Sequence, residues 1–128
     1  MNAGRILEGA GHDLGHIRSQ LGTDPVSVNV WLASRRFRSL WRSGVRALTL
    51  GRNVFVDPRL LVDRERLARV VVHELVHVRQ FEEDGFLPFL WRYVRAYISQ
   101  RWRGLGPREA YLAIPAEQEA REITSRVM

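Results

Sequence analysis

The residues from Leu67 to Val78 constrain this chain more than any others. They read Leu-Ala-Arg-Val-Val-Val-His-Glu-Leu-Val-His-Val, apolar at nearly every position with two histidines and a glutamate set inside. A helix that is apolar on almost every face belongs in the middle of a fold. Asp63 stands where a helix N-cap belongs and Gly85 where a helix ends, so the pattern predicts a helix from Arg64 to about Glu83. Two imidazoles and a carboxylate inside such a helix are costly to bury unless something satisfies them.

The rest of the chain has to wrap that helix. At 128 residues it suffices for one domain with one modest core, spanning 1–128. Val26–Leu32 alternates apolar and polar residues and predicts a strand whose buried face carries Val26, Val28, Val30 and Leu32. Ala47–Leu50 and Val54–Asp57 are short apolar runs around Gly51-Arg52-Asn53, the pattern of a hairpin, and Asp57-Pro58 stops it. Between these, Ser34–Arg46 reads as a loop or a short helix. Residues 1–22 are glycine-rich and predict a weakly ordered segment with a short helix from about Leu14. Pro88 opens a helix to about Trp102, with Phe89, Leu90, Tyr93, Val94, Tyr97 and Ile98 along one side. Pro115 opens a last helix to about Val127. The expected class is α+β: a small sheet or hairpin, then the central helix and two further helices.

Composition removes several chemistries. There is no cysteine, which excludes disulfides, thiolate metal sites and a cysteine nucleophile. All 20 basic residues are arginine, so a Schiff-base or P-loop lysine is excluded too. The net charge of +6 leaves nucleic acid, anionic lipid or an acidic partner open. Two stretches, 35–46 and 91–103, mix arginine with aromatic residues and read as solvated basic faces with their tryptophans turned inward. No run approaches the ~18 apolar residues of a membrane-spanning helix. The opening MNAGRILEGAGHDLGH has no apolar signal core, so the expected location is cytoplasmic.

The chemistry lies in His73, Glu74 and His77. Residues four apart share a helix face, so both imidazoles reach one metal ion. Glu74 then sits beside the metal's open position, where its carboxylate can take a proton from water. Catalytic zinc needs three protein ligands and one open position, and lowers the pKa of water there to about 7. No third histidine follows; only His12 and His16 remain. The third ligand is sought at Glu117 or Glu119, on the first turns of the helix opened by Pro115. At ~100° per residue they point ~200° apart, so only one faces the metal. Ala120, three residues after Glu117, is small enough for close helix approach, which favours Glu117 and leaves Glu119 as the alternative. The expectation is one zinc ion per chain on His73, His77 and Glu117. His12-Asp13-Leu14-Gly15-His16 repeats the spacing, but Gly9, Gly11 and Gly15 argue against a helix there, and it reads as a solvated terminus.

His73-Glu-Leu-Val-His77 with Val78-Arg79-Gln80, followed by Pro115-Ala-Glu117-Gln-Glu119-Ala120, resembles the small gluzincin-type zincins. It is also similar to ImmA/IrrE-like peptidases and to bacterial minimal zincins with an HELxHVxQ helix. The resemblance covers roughly residues 47–122. It implies a zinc metallopeptidase acting on a peptide or protein, with Glu74 as general base and then proton donor. It leaves Arg121 where those families carry Asp or Asn, so what orients His73 stays open. It implies that the strand before the central helix, Val54–Asp57, is an edge that pairs with extended substrate. By position Tyr111 is a candidate donor to the tetrahedral oxyanion, or else a half-buried packing residue. The rival reading is a zincin scaffold acting as a binding module, through its arginine-rich surface, for nucleic acid or a regulatory protein partner; nucleic acid is not favoured.

Overall fold

The fold comes from a computed structural model and is described for residues 1–39, 41 and 45–128. In chain order the elements are helices α1 (Ala3–Gly9) and α2 (Leu14–Leu21), a 3-10 turn at Pro25–Ser27, strand β1 (Asn29–Leu32) and a short helix α3 (Arg35–Arg38). Strands β2 (Ala47–Leu50) and β3 (Asn53–Val56) follow, then a second 3-10 turn at Pro58–Val62. Four helices complete the chain: α4 (Arg64–Asp84), α5 (Phe86–Trp102), α6 (Pro107–Leu112) and α7 (Pro115–Val127). The class is α+β, as the sequence predicts.

Helix α4 is the centre. The Asp63 carboxylate accepts from the Arg66 backbone N–H at its start, and Gly85 ends it at φ 85°. Between Val71 and Val78 every residue but His73 is buried. Helices α1, α2, α5 and α7 and strands β2 and β3 all pack against it. Each fully buried valine or leucine there contributes about 1.5–3 kcal/mol, enough to hold a charged cluster in place.

Residues 1–22 depart from expectation in part: the helix expected from about Leu14 is present as α2, but a further helix precedes it and both pack into the core. Ala3, Leu7, Ile17 and Leu21 are buried there. Of the glycines that argued against helix, Gly15 lies inside α2 just after its Asp13 cap, and the other two sit at or beyond the end of α1. Gly9 is the last residue of α1 and Gly11 turns the chain at φ 86°. Gly4, inside α1, lies so close to Val26 that an added Cβ would meet its Cγ2 at 2.9 Å, so glycine there lets α1 settle.

The first strand is shorter than the alternation implies. Asp24 and Pro25 start a 3-10 turn, which leaves Val26 exposed, and the strand begins only at Asn29. Val28 and Val30 are buried, whereas Leu32 is 47% exposed. The hairpin forms, with Leu50 opposite Asn53. Its turn is therefore Gly51-Arg52, and Gly51 alone has positive φ (66°).

Sheet order is β1-β3-β2, with β1 parallel and β2 antiparallel to β3. This corrects the expected substrate edge. β3 is the central strand, paired on both sides, so Val54–Asp57 offers no free backbone. β1 is partly covered by the N-terminus, where Ala3 N–H donates to the Val28 carbonyl and Val30 N–H to that of Met1. The edge beside α4 is β2. Asp57 N–H donates to the Arg46 carbonyl, so by alternation Ala47 and Thr49 turn their backbone groups outward.

The basic stretches also differ. Trp41 packs edge-on to Phe37, at 5.6 Å between ring centres, while Arg42 and Leu40 lie outside the described residues. Trp91 and Trp102 are 65% and 86% exposed rather than inward. Helix α5 buries Phe89 and presents Leu87, Trp91, Val94, Ile98 and Trp102 to solvent. Among the described residues, no helix is long and apolar enough to cross a membrane.

Candidate metal centre

Helix α4 carries His73, Glu74 and His77, and α7 lies along it. Ala120 is fully buried, the close approach that its size permits. That brings Glu117 onto the two histidines. Glu117 Oε1 lies 2.8 Å from His73 Nε2 and 2.9 Å from His77 Nε2. Its second oxygen, Oε2, accepts from the Tyr93 hydroxyl at 2.6 Å. Glu119 faces elsewhere, as the ~200° separation requires: it is half-exposed and accepts from Gln80 Nε2 at 3.0 Å.

His73, Glu74 and His77 each place a ligand atom within 4.8 Å of the others, a group that could hold a metal ion. Two carboxylates therefore adjoin the imidazoles, and their partners distinguish them. Glu117 points an oxygen at both Nε2 atoms. Glu74 is turned toward the sheet, where its Oε2 accepts from the Thr49 hydroxyl of β2 at 2.5 Å.

His77 is held from both ends. Gln80 donates through Nε2 to the Ala116 carbonyl and to Glu119, so its Oε1 accepts from His77 Nδ1–H at 2.7 Å. Burial works to lower the His77 pKa. The bond to Glu117, the charges of Glu74 and Glu117 and the bond to Gln80 outweigh it, and the group is pushed up to about 9. Burial likewise works to raise Glu117, but its bonds to His73, His77 and Tyr93 hold it well below the usual carboxylate range. As an ionised carboxylate it only accepts, so without metal both Nε2 atoms carry hydrogen.

Tyr111 enters from α6. Burial first, then the charges of Glu117 and Glu74 and a hydrogen bond to Glu117, push its hydroxyl pKa up. Tyr93 is raised by burial and by Glu117. Both remain protonated donors at neutral pH. Arg121 donates to the Leu112 carbonyl at 2.6 Å, and among the described residues nothing bonds His73 Nδ1.

Sequence reasoning missed Gln80, Tyr93 and Thr49 as site residues. Gln80 had a signal: it lies three residues after His77, on the same helix face. Tyr93 was hidden among the apolar residues of α5, and Thr49 inside a four-residue strand. The second histidine pair makes no site. Asp13 caps α2 through the N–H groups of Gly15 and His16, His12 bonds Glu65 at 3.2 Å, and His16 is exposed.

Comparison with known proteins identifies a family. The family model for the eCIS core domain matches residues 5–85, and the chain belongs to that family. No curated protein and no solved structure matches. The matched region differs from the zincin likeness, which began near residue 47. It takes in the N-terminal helices and runs to the end of α4. His73, Glu74 and His77 fall within it, whereas Tyr93, Tyr111 and Glu117 lie beyond.

Proposed function

We propose that this chain is a zinc metallopeptidase of the gluzincin type, with His73, His77 and Glu117 as the zinc ligands and Glu74 as the general base. The observation that carries the reading is the meeting of both imidazole Nε2 atoms with one Glu117 oxygen across two helices. Two nitrogens and a carboxylate oxygen are the donor set that zinc takes where cysteine is absent. Gln80 supports it by fixing hydrogen on His77 Nδ1, which leaves Nε2 as the coordinating atom. Bound zinc would supply a water of lowered pKa and polarise the scissile carbonyl.

The chain's own groups do the rest. Thr49 holds one Glu74 oxygen, so the other is free to take a proton from water and pass it to the leaving amine. Tyr93 keeps Glu117 turned toward the histidines. Tyr111, protonated and beside the two carboxylates, is the candidate oxyanion donor. The outward backbone groups of Ala47 and Thr49 on β2 offer pairing to an extended peptide.

The test is metal content by mass spectrometry, together with peptide cleavage. One zinc per chain, lost in His73→Ala and in Glu117→Ala, with cleavage abolished in a zinc-loaded Glu74→Gln, is the expected result. A folded chain that holds no zinc after reconstitution overturns the proposal.

A further inference from the structure

Two cavities meet at Glu74. One, of about 400 Å³, is lined by Arg46, Arg69, His73 and Arg121. The other, of about 530 Å³, is lined by Leu48, Leu50, Phe89, Leu90, Tyr93 and Tyr97. Val45, Ala47, Glu74 and Tyr111 border both. They are two ends of one cleft along β2, basic toward Arg46 and apolar toward Leu50.

The basic end gathers three arginines at one cavity. Arg38, Arg52, Arg59, Arg79 and Arg92 each pair with a carboxylate. Among the described residues, Arg46, Arg69 and Arg121, like most of the other arginines, pair with none. Arg121 is anchored by its bond to the Leu112 carbonyl, with further N–H groups left to donate. Glu74 is the one acidic residue among those lining that cavity, and it is already held by Thr49. Three arginines lining one cavity, none of them paired with a carboxylate, form a site for a planar anion, and the guanidinium fork matches a carboxylate.

We propose that the Arg46–Arg69–Arg121 end of the cleft is a carboxylate-binding subsite, so that the preferred peptide carries an acidic group on one side of Glu74 and a large apolar side chain on the other. Four residues of β2 separate the two ends, and an extended partner advances ~3.3 Å per residue. The acidic and apolar groups therefore stand about four residues apart. The proposal rests on the peptidase reading for its place beside a scissile bond, but binding is measured without cleavage.

The experiment uses the full chain carrying Glu74→Gln, supplied with zinc, and fluorescence anisotropy with labelled peptides. All share a phenylalanine. One arm carries a glutamate about four residues away and an amidated end, one a glutamine there and a free C-terminal carboxylate, and one the glutamine with an amidated end. The expected result is binding of at least one carboxylate-bearing arm roughly fivefold or more tighter than the neutral arm. The two acidic arms separate a side chain from a chain terminus as the source. The preference shrinks between about 50 and about 500 mM salt. It falls below about twofold when Arg69→Gln is added, and again when Arg121→Gln is added. Arg69 is exposed, so its replacement leaves the fold intact even if Arg121→Gln disturbs it. Equal binding of all arms, no binding, or a preference untouched by Arg69→Gln overturns the subsite. Wild-type cleavage of the same peptides separates the two proposals: selective binding without cleavage keeps the subsite and removes the peptidase, and cleavage without selectivity does the reverse.

Discussion

Gln80 is the side chain whose replacement tests most of the centre at once. It accepts from His77 Nδ1–H at 2.7 Å and donates to the Ala116 carbonyl at 3.2 Å and to Glu119 at 3.0 Å. Gln80→Leu removes all three bonds at nearly constant volume. At about 0.5–1.5 kcal/mol net per bond, the cost to stability is about 2–4 kcal/mol. The group left without a partner is the buried His77 N–H, whereas the Ala116 carbonyl keeps its place in the α7 ladder, so the middle of that range is expected. The effect on metal is separate. Without its Nδ1 acceptor the imidazole is free to rotate or change tautomer, and loss of such a partner weakens metal affinity by about 10–100-fold. Urea denaturation reads the first quantity, and zinc titration against a competing chelator reads the second. Gln80→Glu divides them, because it keeps an acceptor for His77 but loses the donor to Ala116 and repels Glu119. It is expected to bind zinc within about threefold of wild type while losing stability. Wild-type zinc affinity in Gln80→Leu would refute the argument that Gln80 sets His77.

Three further outcomes follow from the geometry. Glu117→Gln is expected to lower zinc affinity by about 100-fold or more and Glu119→Gln by less than about threefold, read by the same titration, because only Glu117 faces the imidazoles. Thr49→Val is expected to leave zinc content unchanged and lower kcat by about 10–100-fold, since it frees the Glu74 carboxylate to turn; steady-state kinetics with a metal assay checks it. For the zinc-free chain, the raised pKa of His77 contributes stability that is full below its ordinary 6.5 and is lost as pH rises through about 9. The lowered pKa of Glu117 contributes stability that is full above its ordinary 4.5 and is lost as pH falls below it. Denaturation midpoints are therefore expected to plateau between about pH 4.5 and 6.5 and to fall on both sides, and a midpoint still rising from pH 7 to pH 10 would contradict this.

The part of the centre on α4 was legible because one periodicity carries it. The apolar run fixes the helix, its caps fix the ends, and a spacing of four puts His73 and His77 on one face. Glu117 was legible for a similar reason, since opposite helical phases force a choice between it and Glu119. What surrounds them was not. Tyr93 reaches Glu117 from α5, and Thr49 reaches Glu74 from β2; each is a tertiary contact with no mark in local spacing. The pairing of β1 with β3 is likewise non-local, so the hairpin alone suggested the wrong edge strand. Of the N-terminal helices, the one from Leu14 was legible, whereas α1 was missed because glycine lowers helix propensity, and here burial of Ala3 and Leu7 in the core overrides it.

Glu117 lies 40 residues beyond His77 in a chain without cysteine. A zinc ion shared by the two would tie α7 to α4 as a covalent cross-link would, closing a loop whose entropy is worth about 4 kcal/mol on the disulfide scale. A chelator would then lower the melting temperature. The order of synthesis adds a second consequence. The histidines emerge from the ribosome well before their carboxylate partner, so a nascent chain carries a divided centre. On the proposed peptidase reading, hydrolysis would begin only after α7 has docked.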